Sequence, residues 1–125
     1  MRVEQVMTRN VLACRPETNL SAAAMQMWKG DCGVLPVVTA NGEVVGMITD
    51  RDICMAAATK HRDVAAIRVK EVTSGQVYAC SPDADIHTAL SVMRHKQVRR
   101  LPIINGENGK LVGILSIDDV ALKAG

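Results

Sequence analysis

Apolar residues recur at helical spacing twice along this chain. Leu20, Ala23, Ala24 and Met27 stand at i, i+3, i+4 and i+7, and Ile86, Ala89, Leu90 and Met93 repeat that pattern. Such spacing predicts one buried helical face in each segment. Asn19 and Asp85 directly precede these faces and read as N-caps. Downstream of each lies an apolar run, Leu35-Pro36-Val37-Val38 or Leu101-Pro102-Ile103-Ile104. The proline marks a strand start or an edge. A glycine turn then leads into Val44 to Ile48, or Leu111 to Leu115, which predicts a hairpin. A second helix opens at Thr49 or Ser116, and a short strand is expected upstream at Val11 to Cys14 or Val77 to Cys80. The predicted order is β-α-β-β-α, twice.

The two copies are in register. Pro16 and Pro82 are 66 residues apart, as are Pro36 and Pro102. The same offset matches Val11 with Val77, Cys14 with Cys80 and Met27 with Met93; after the hairpin turns it becomes 67, matching Gly46 with Gly113, Thr49 with Ser116 and Asp52 with Asp119. The extra residue falls between Asn41-Gly42 and Asn105-Gly106-Glu107-Asn108-Gly109. Exposed turns accept insertions because no buried backbone bond is lost there. Val69, Val72 and Ser74 also echo Val3, Val6 and Thr8, so the repeat includes a lead-in segment. The expectation is an α/β fold of two repeats, residues 1–59 and 60–125, related by a pseudo-twofold axis. Thr59 to Arg68 is expected to be a solvated linker.

Composition narrows the function classes. Hydrophobic residues make up 48% of the 125, but aromatics only 2%, so the core must be aliphatic. A net charge of +2 and two aromatics argue against nucleic-acid binding, which needs phosphate neutralisation and stacking. No apolar run approaches the roughly 18 residues of a membrane span. The first residues lack the apolar stretch of a signal peptide, so a cytoplasmic location is expected. Cys14, Cys32, Cys54 and Cys80 lack metal-ligand spacing, and Cys14 and Cys80 read as small buried hydrophobes. His61, His87 and His95 fall in no nucleophile, base or metal arrangement. No enzyme is expected.

The chemistry-bearing motif is Gly46-Met47-Ile48-Thr49-Asp50-Arg51-Asp52, echoed by Gly113-Ile114-Leu115-Ser116-Ile117-Asp118-Asp119. One reading is a capping box, with Asp in place of the usual Glu or Gln. The other is a nucleotide site. Free amides at a helix start favour an anion, and the hydroxyl adds a donor. A fixed carboxylate suits the vicinal hydroxyls of a ribose. Both readings remain open on the sequence.

The lead-in ending in Met7-Thr8, the Pro-acidic turn, the Leu-Pro strand and the Gly-x-x-Thr/Ser-x-x-Asp motif, all duplicated, resemble a tandem pair of CBS domains (a Bateman module) across essentially the whole chain. The resemblance implies a regulatory module that binds AMP, ADP, ATP or S-adenosylmethionine in two clefts between the repeats. Carried over by position, it implies ribose carboxylates at Asp52 and Asp119 and phosphate-side hydroxyls at Thr49 and Ser116. One cleft would combine Thr8, Val11, Leu12 and Cys32 with Ser116 and Asp119. The other would combine Ser74, Val77, Tyr78 and Val98 with Thr49 and Asp52. Arg99 and Arg100 precede the second Leu-Pro strand, where the family often places basic residues near phosphate. Arg51 beside Thr49 contrasts with Asp118 in the second copy, so the Thr49–Asp52 cleft is expected to prefer an anionic nucleotide. Tyr78 could stack on adenine.

The resemblance also implies a homodimer that signals to a separate effector protein through a conformational or dimer change. The alternative is a ligand-free dimerisation scaffold, for which Trp28 would serve as an interface anchor.

Overall fold

The computed structural model describes residues 1–73 and 76–123. Its elements are helices α1 (Leu20–Gly30), α2 (Asp50–Thr59), α3 (Ile86–Lys96) and α4 (Ile117–Lys123), and strands β1 (Val34–Val38), β2 (Val44–Thr49), β3 (Arg100–Ile104) and β4 (Leu111–Ser116). The strands form two antiparallel hairpins, β1–β2 and β3–β4. The chain divides into two compact units. One contains Leu12–Val77; the other joins Met1–Val11 to Tyr78–Gly125.

In the Leu12–Val77 unit, α1 starts where the Asn19 side chain accepts the Ala22 amide at 2.8 Å, satisfying a donor that the helix leaves unpaired. Leu20, Ala23 and Met27 are buried. The helix ends at Asp31, whose left-handed φ of 50° lets its amide reach back to Met27 and Trp28. The β1–β2 register pairs Pro36 with Met47 and Val37 with Gly46, with a bulge between Val37 and Val38. The expected first strand is reduced to one parallel bridge between Cys14 and Val37. It stops there because a turn follows at once: the Arg15 amide donates to Thr18 Oγ1 at 3.0 Å, and Pro16 has no amide to continue a ladder.

The segment expected to be a solvated linker is solvated only in part. Lys60 to Asp63 are exposed, but Ile67 is fully buried beside Leu20, Leu35, Ile48 and Val69. Backbone bonds hold it down, from Leu20 to the Ile67 carbonyl at 2.9 Å and from Val69 to Thr18 at 2.8 Å. Burying a side chain of this size contributes roughly 1.5–3 kcal/mol, and the backbone bonds add to it. Arg62 closes the segment by donating to Glu71 at 2.9 Å and to the Ala66 carbonyl at 2.7 Å. The Arg62–Glu71 bond, with the Arg68 amide, pulls the Glu71 carboxyl down to about 2.

The other unit repeats the plan. Asp85 caps α3 by accepting the His87 amide at 2.8 Å, and α3 buries Ile86, Ala89 and Met93. Cys80 bridges Ile103 as Cys14 bridges Val37, but Cys80 is only half-buried. The lead-in Val3, Val6 and Met7 packs into this core with Leu101, Ile103 and Leu115. Thr8 pairs with Ile114 through amide–carbonyl bonds of 2.8 and 3.0 Å. Gly113 must be glycine here, since a Cβ would come 2.5 Å from the Thr8 carbonyl oxygen. The compact units are therefore offset from the sequence repeats. The lead-in of the first repeat packs on the body of the second, and Ile67 and Val69 pack on the body of the first.

Among the described residues no helix is long and apolar enough to cross a membrane.

Candidate functional site

Each unit presents its hydroxyl–acid motif at the junction of a strand and a helix. In the Leu12–Val77 unit, Thr49 ends β2 in extended conformation. Asp52 Oδ2 accepts the Thr49 amide at 2.9 Å, and the Asp52 amide donates to Thr49 Oγ1 at 3.2 Å. The capping box is thus complete. It does not exhaust the groups involved. Thr49 Oγ1 acts as acceptor in the box, and a hydroxyl carries one further donor. A carboxylate accepts at about four positions, and the box uses one. Arg51 is exposed beside this pair. Asp50 lies against the chain before β1: its amide donates to the Gly33 carbonyl at 2.9 Å, and a Cβ on Gly33 would stand 3.0 Å from Asp50 Oδ2.

The second unit builds the same box more loosely. The Ser116 amide donates to Asp119 Oδ2 at 3.3 Å, and the Asp119 amide to Ser116 Oγ at 3.0 Å. Thr8, from the lead-in, donates its hydroxyl to the same Asp119 oxygen at 3.3 Å. Thr8, 111 residues from Asp119 in sequence, therefore joins Ser116 and Asp119 in one cluster. Arg100 pairs with Ser116 across β3–β4. The Arg99 carbonyl accepts the Ile117 amide at 3.0 Å, and its guanidinium lies 3.8 Å from Asp118.

The remaining expected site residues are distributed between the units. Val77, Leu12 and Cys32 fall with Thr49 and Asp52; Val11, Tyr78 and Val98 fall with Ser116 and Asp119. Leu12 packs against Gly30, where a Cβ would meet its Cδ1 at 2.5 Å. Tyr78 is half-buried, with Lys96 Nζ 5.1 Å from its ring centre. Val98 is half-buried and closes α3 by donating to the Met93 carbonyl at 3.0 Å. Ser74 lies outside the described residues.

A family model for the CBS domain matches residues 3–59 and again 69–124. The chain belongs to the CBS domain family. It is a tandem CBS pair. CBS domain-containing protein YhcV of Bacillus subtilis is 35% identical over 96% of this chain and 83% of its own length. Hypoxic response protein 1 of Mycobacterium tuberculosis is 33% identical over 93% of this chain and 80% of its own length. A crystal structure of Hypoxic Response Protein I with two coordinated zinc ions superposes with a TM-score of 0.88, at 32% identity and 98% coverage of both chains. The CBS pair of protein MJ0100, in complex with 5'-methylthioadenosine and S-adenosyl-L-methionine, shares the fold with a TM-score of 0.89 at 21% identity, covering both chains fully. In the present CBS pair, no group of three or more His, Cys, Asp or Glu among the described residues could hold a metal ion.

One feature of the first CBS body escaped sequence reasoning. A depression of about 560 Å³ opens between α1 and α2, lined by residues that include Trp28, Asp31, Cys32, Gly33, Asp50 and Cys54. Trp28 is 83% exposed beside it. The available signal was the loss of bulk between copies: Gly33 stands where the second copy has Arg99, and Ala24 where it has Leu90.

Proposed function

We propose that this CBS pair is a non-catalytic sensor of adenosine compounds, with Asp52 and Asp119 as ribose acceptors and Thr49 and Ser116 as phosphate-side donors. The observation that carries the reading is the hydroxyl–acid box at both strand–helix junctions. Each box holds a carboxylate rigidly at a helix start, with the hydroxyl proton of Thr49 and most of the Asp52 lone pairs uncommitted. The known complexes of a CBS pair with 5'-methylthioadenosine and S-adenosyl-L-methionine support the ligand class.

The two boxes differ in charge. Arg51 stands next to Asp52, whereas Asp118 stands next to Asp119. The Thr49–Asp52 box, with Arg51 beside it, therefore takes the more anionic nucleotide. Val77 and Tyr78 supply apolar and aromatic surface for the base, and Val11, Leu12, Cys32 and Val98 line the adenine pockets. Ser74 is assigned by its match to Thr8. Binding acts on a separate effector protein through a change in a homodimer of the chain. A ligand shifts such an equilibrium only by its differential affinity for the two states.

The test is thermal unfolding with AMP, ADP, ATP, S-adenosylmethionine, 5'-methylthioadenosine, GTP and NAD. Ligand at about 100 times its Kd adds roughly 2.7 kcal/mol, a shift of several degrees for a chain of this size. A shift restricted to adenosine compounds and lost in Asp52→Gln supports the sensor. No shift with any compound would leave the boxes as helix caps and favour the ligand-free scaffold.

A further inference from the structure

Negative charge gathers around the depression between α1 and α2 without a basic partner. Ala24, Met27 and Ile53, buried or half-buried, give the depression an apolar floor; Trp28, Asp31 and Asp50, all exposed, stand around it. Neither Lys29 nor Arg51 lines it, and among the described residues neither Asp31 nor Asp50 is in an ion pair. Asp50 suits the start of α2, where an acid meets the positive end of the helix. Asp31 has no such support: it caps α1 at φ 50° and stands at the negative end. The second CBS body ends α3 in the same left-handed way with Gln97, at φ 56°, so the turn does not require an acid. At the other equivalent positions that body has Arg94 for Trp28, Arg99 for Gly33 and Ile117 for Asp50. Asp50 Oδ1 accepts the Arg51 amide at 2.8 Å. A Cβ on Gly33 would stand 3.0 Å from Asp50 Oδ2, so the missing side chain leaves that oxygen open.

We infer that this depression binds an aliphatic polyamine, a flexible chain of methylenes carrying several ammonium groups. The ammonium groups meet Asp31 and Asp50, and the methylenes cover Ala24, Met27 and Ile53. One ammonium lies on the indole of Trp28, which is 83% exposed; an indole face attracts a cation through its ring quadrupole. The volume of about 560 Å³ falls among those of small-molecule sites. No group of three or more His, Cys, Asp or Glu among the described residues could hold a metal ion. Two carboxylates beside an apolar floor suit instead a cation with an organic stem, which covers apolar surface as it presents its charge. An anionic nucleotide would be repelled by the same carboxylates. None of these six residues is among the groups assigned to the adenosine compounds.

Trp28 is the one tryptophan of the chain, so its fluorescence reports this site. Spermidine, putrescine, magnesium ion and trilysine are titrated at constant ionic strength, because salt screens exposed charges. The expected result is a saturable change in emission with spermidine, and weaker binding of putrescine, which has fewer ammonium groups. Spermidine binding is expected to be at least about tenfold weaker in a variant carrying Asp31→Asn and Asp50→Asn. Gly33→Arg, which supplies the second copy's residue and its cation, is expected to abolish the response. Circular dichroism reports the fold of each variant. Should the double variant fail to fold, Asp31→Asn alone changes an exposed cap residue and serves in its place. No saturable response in the parent chain overturns the inference, and so does equal spermidine binding by the folded variants. A response to magnesium or trilysine as strong as that to spermidine also overturns it, since the depression would then read charge alone. Emission that shifts on dilution of the protein and ignores every added cation would place another copy over this face, and overturns it too.

Discussion

The two boxes use the same residue types under different loads. In the Leu12–Val77 unit, Asp52 accepts the Thr49 amide at 2.9 Å. In the other unit, Asp119 Oδ2 is shared between the Ser116 amide and the Thr8 hydroxyl, each at 3.3 Å. Asp119 thus fastens a segment from the far end of the sequence, and part of its accepting capacity is taken. Asp52 is the more available carboxylate and has Arg51 rather than an acid beside it. One motif leaves its carboxylate largely free in one copy and serves partly as a structural clasp in the other, so a duplicated motif need not mean two equal sites.

The largest expected effects fall where the lead-in segments join the bodies. Gly113→Ala pushes a Cβ into the Thr8 carbonyl, and overpacking of this kind costs about 1–3 kcal/mol. Ile67→Ala empties a fully buried site on the other body and costs about 2–5 kcal/mol. Urea unfolding of both variants checks whether the two junctions carry comparable stability. A negligible loss in Ile67→Ala would return that segment to a solvated linker.

Next come the boxes themselves. Asp52→Ala removes a cap and costs about 1 kcal/mol without ligand. Asp119→Ala also releases Thr8 and is expected to cost more. Their effects on adenosine binding run in the opposite order, with Asp52→Ala the more damaging for AMP or ATP. Equal losses of affinity would erase the distinction between the copies.

The cysteines sharpen the comparison of surface with core. Burial raises the Cys14 thiol to about 11, and Cys32 and Cys54 are exposed. A thiolate reagent at neutral pH is expected to label Cys32 and Cys54 first and Cys14 last, read by mass spectrometry of the peptides. Early labelling of Cys14 would contradict its place in the core.

The smallest effect is the pH dependence of the Arg62–Glu71 clasp. The Glu71 carboxyl is lowered to about 2 by the Arg62 and Arg68 bonds. A depressed acid stabilises the fold above its unfolded value and loses that contribution as pH falls through the folded one. Parent and Glu71→Gln unfolding curves are therefore expected to converge between about pH 4.5 and 2. Curves that stay parallel across that range would remove the clasp.

Much of this was legible because duplication tests itself. Asn19 and Asp85 cap α1 and α3, and Thr49 and Ser116 open their boxes, as local chemistry predicts. Leu20, Met27, Ile86 and Met93 are buried as their period requires. What local pattern could not carry was long-range. Ile67 and Val69 are isolated apolar residues in a polar stretch with no period, and their partners lie tens of residues away. The first strands shrank to single bridges because the ladder partner offered them one pairing and a turn followed. The site clusters were legible as motifs, but the bond from Thr8 to Asp119 depends on a lead-in whose destination no periodicity encodes. Trp28, which the scaffold alternative would use as an interface anchor, is 83% exposed and so lies on the surface.

The most direct measurement of the central claim is calorimetric titration of ATP, AMP and S-adenosylmethionine into the parent chain and into Asp52→Gln. Glutamine keeps a capping acceptor at that position but removes the charge, so helix stability is retained while the ribose contact weakens. The account predicts saturable binding of at least one of these ligands to the parent and at least a tenfold weaker Kd in the variant, with little change in unliganded unfolding. Equal affinity in the two proteins, or no binding to the parent, would contradict it.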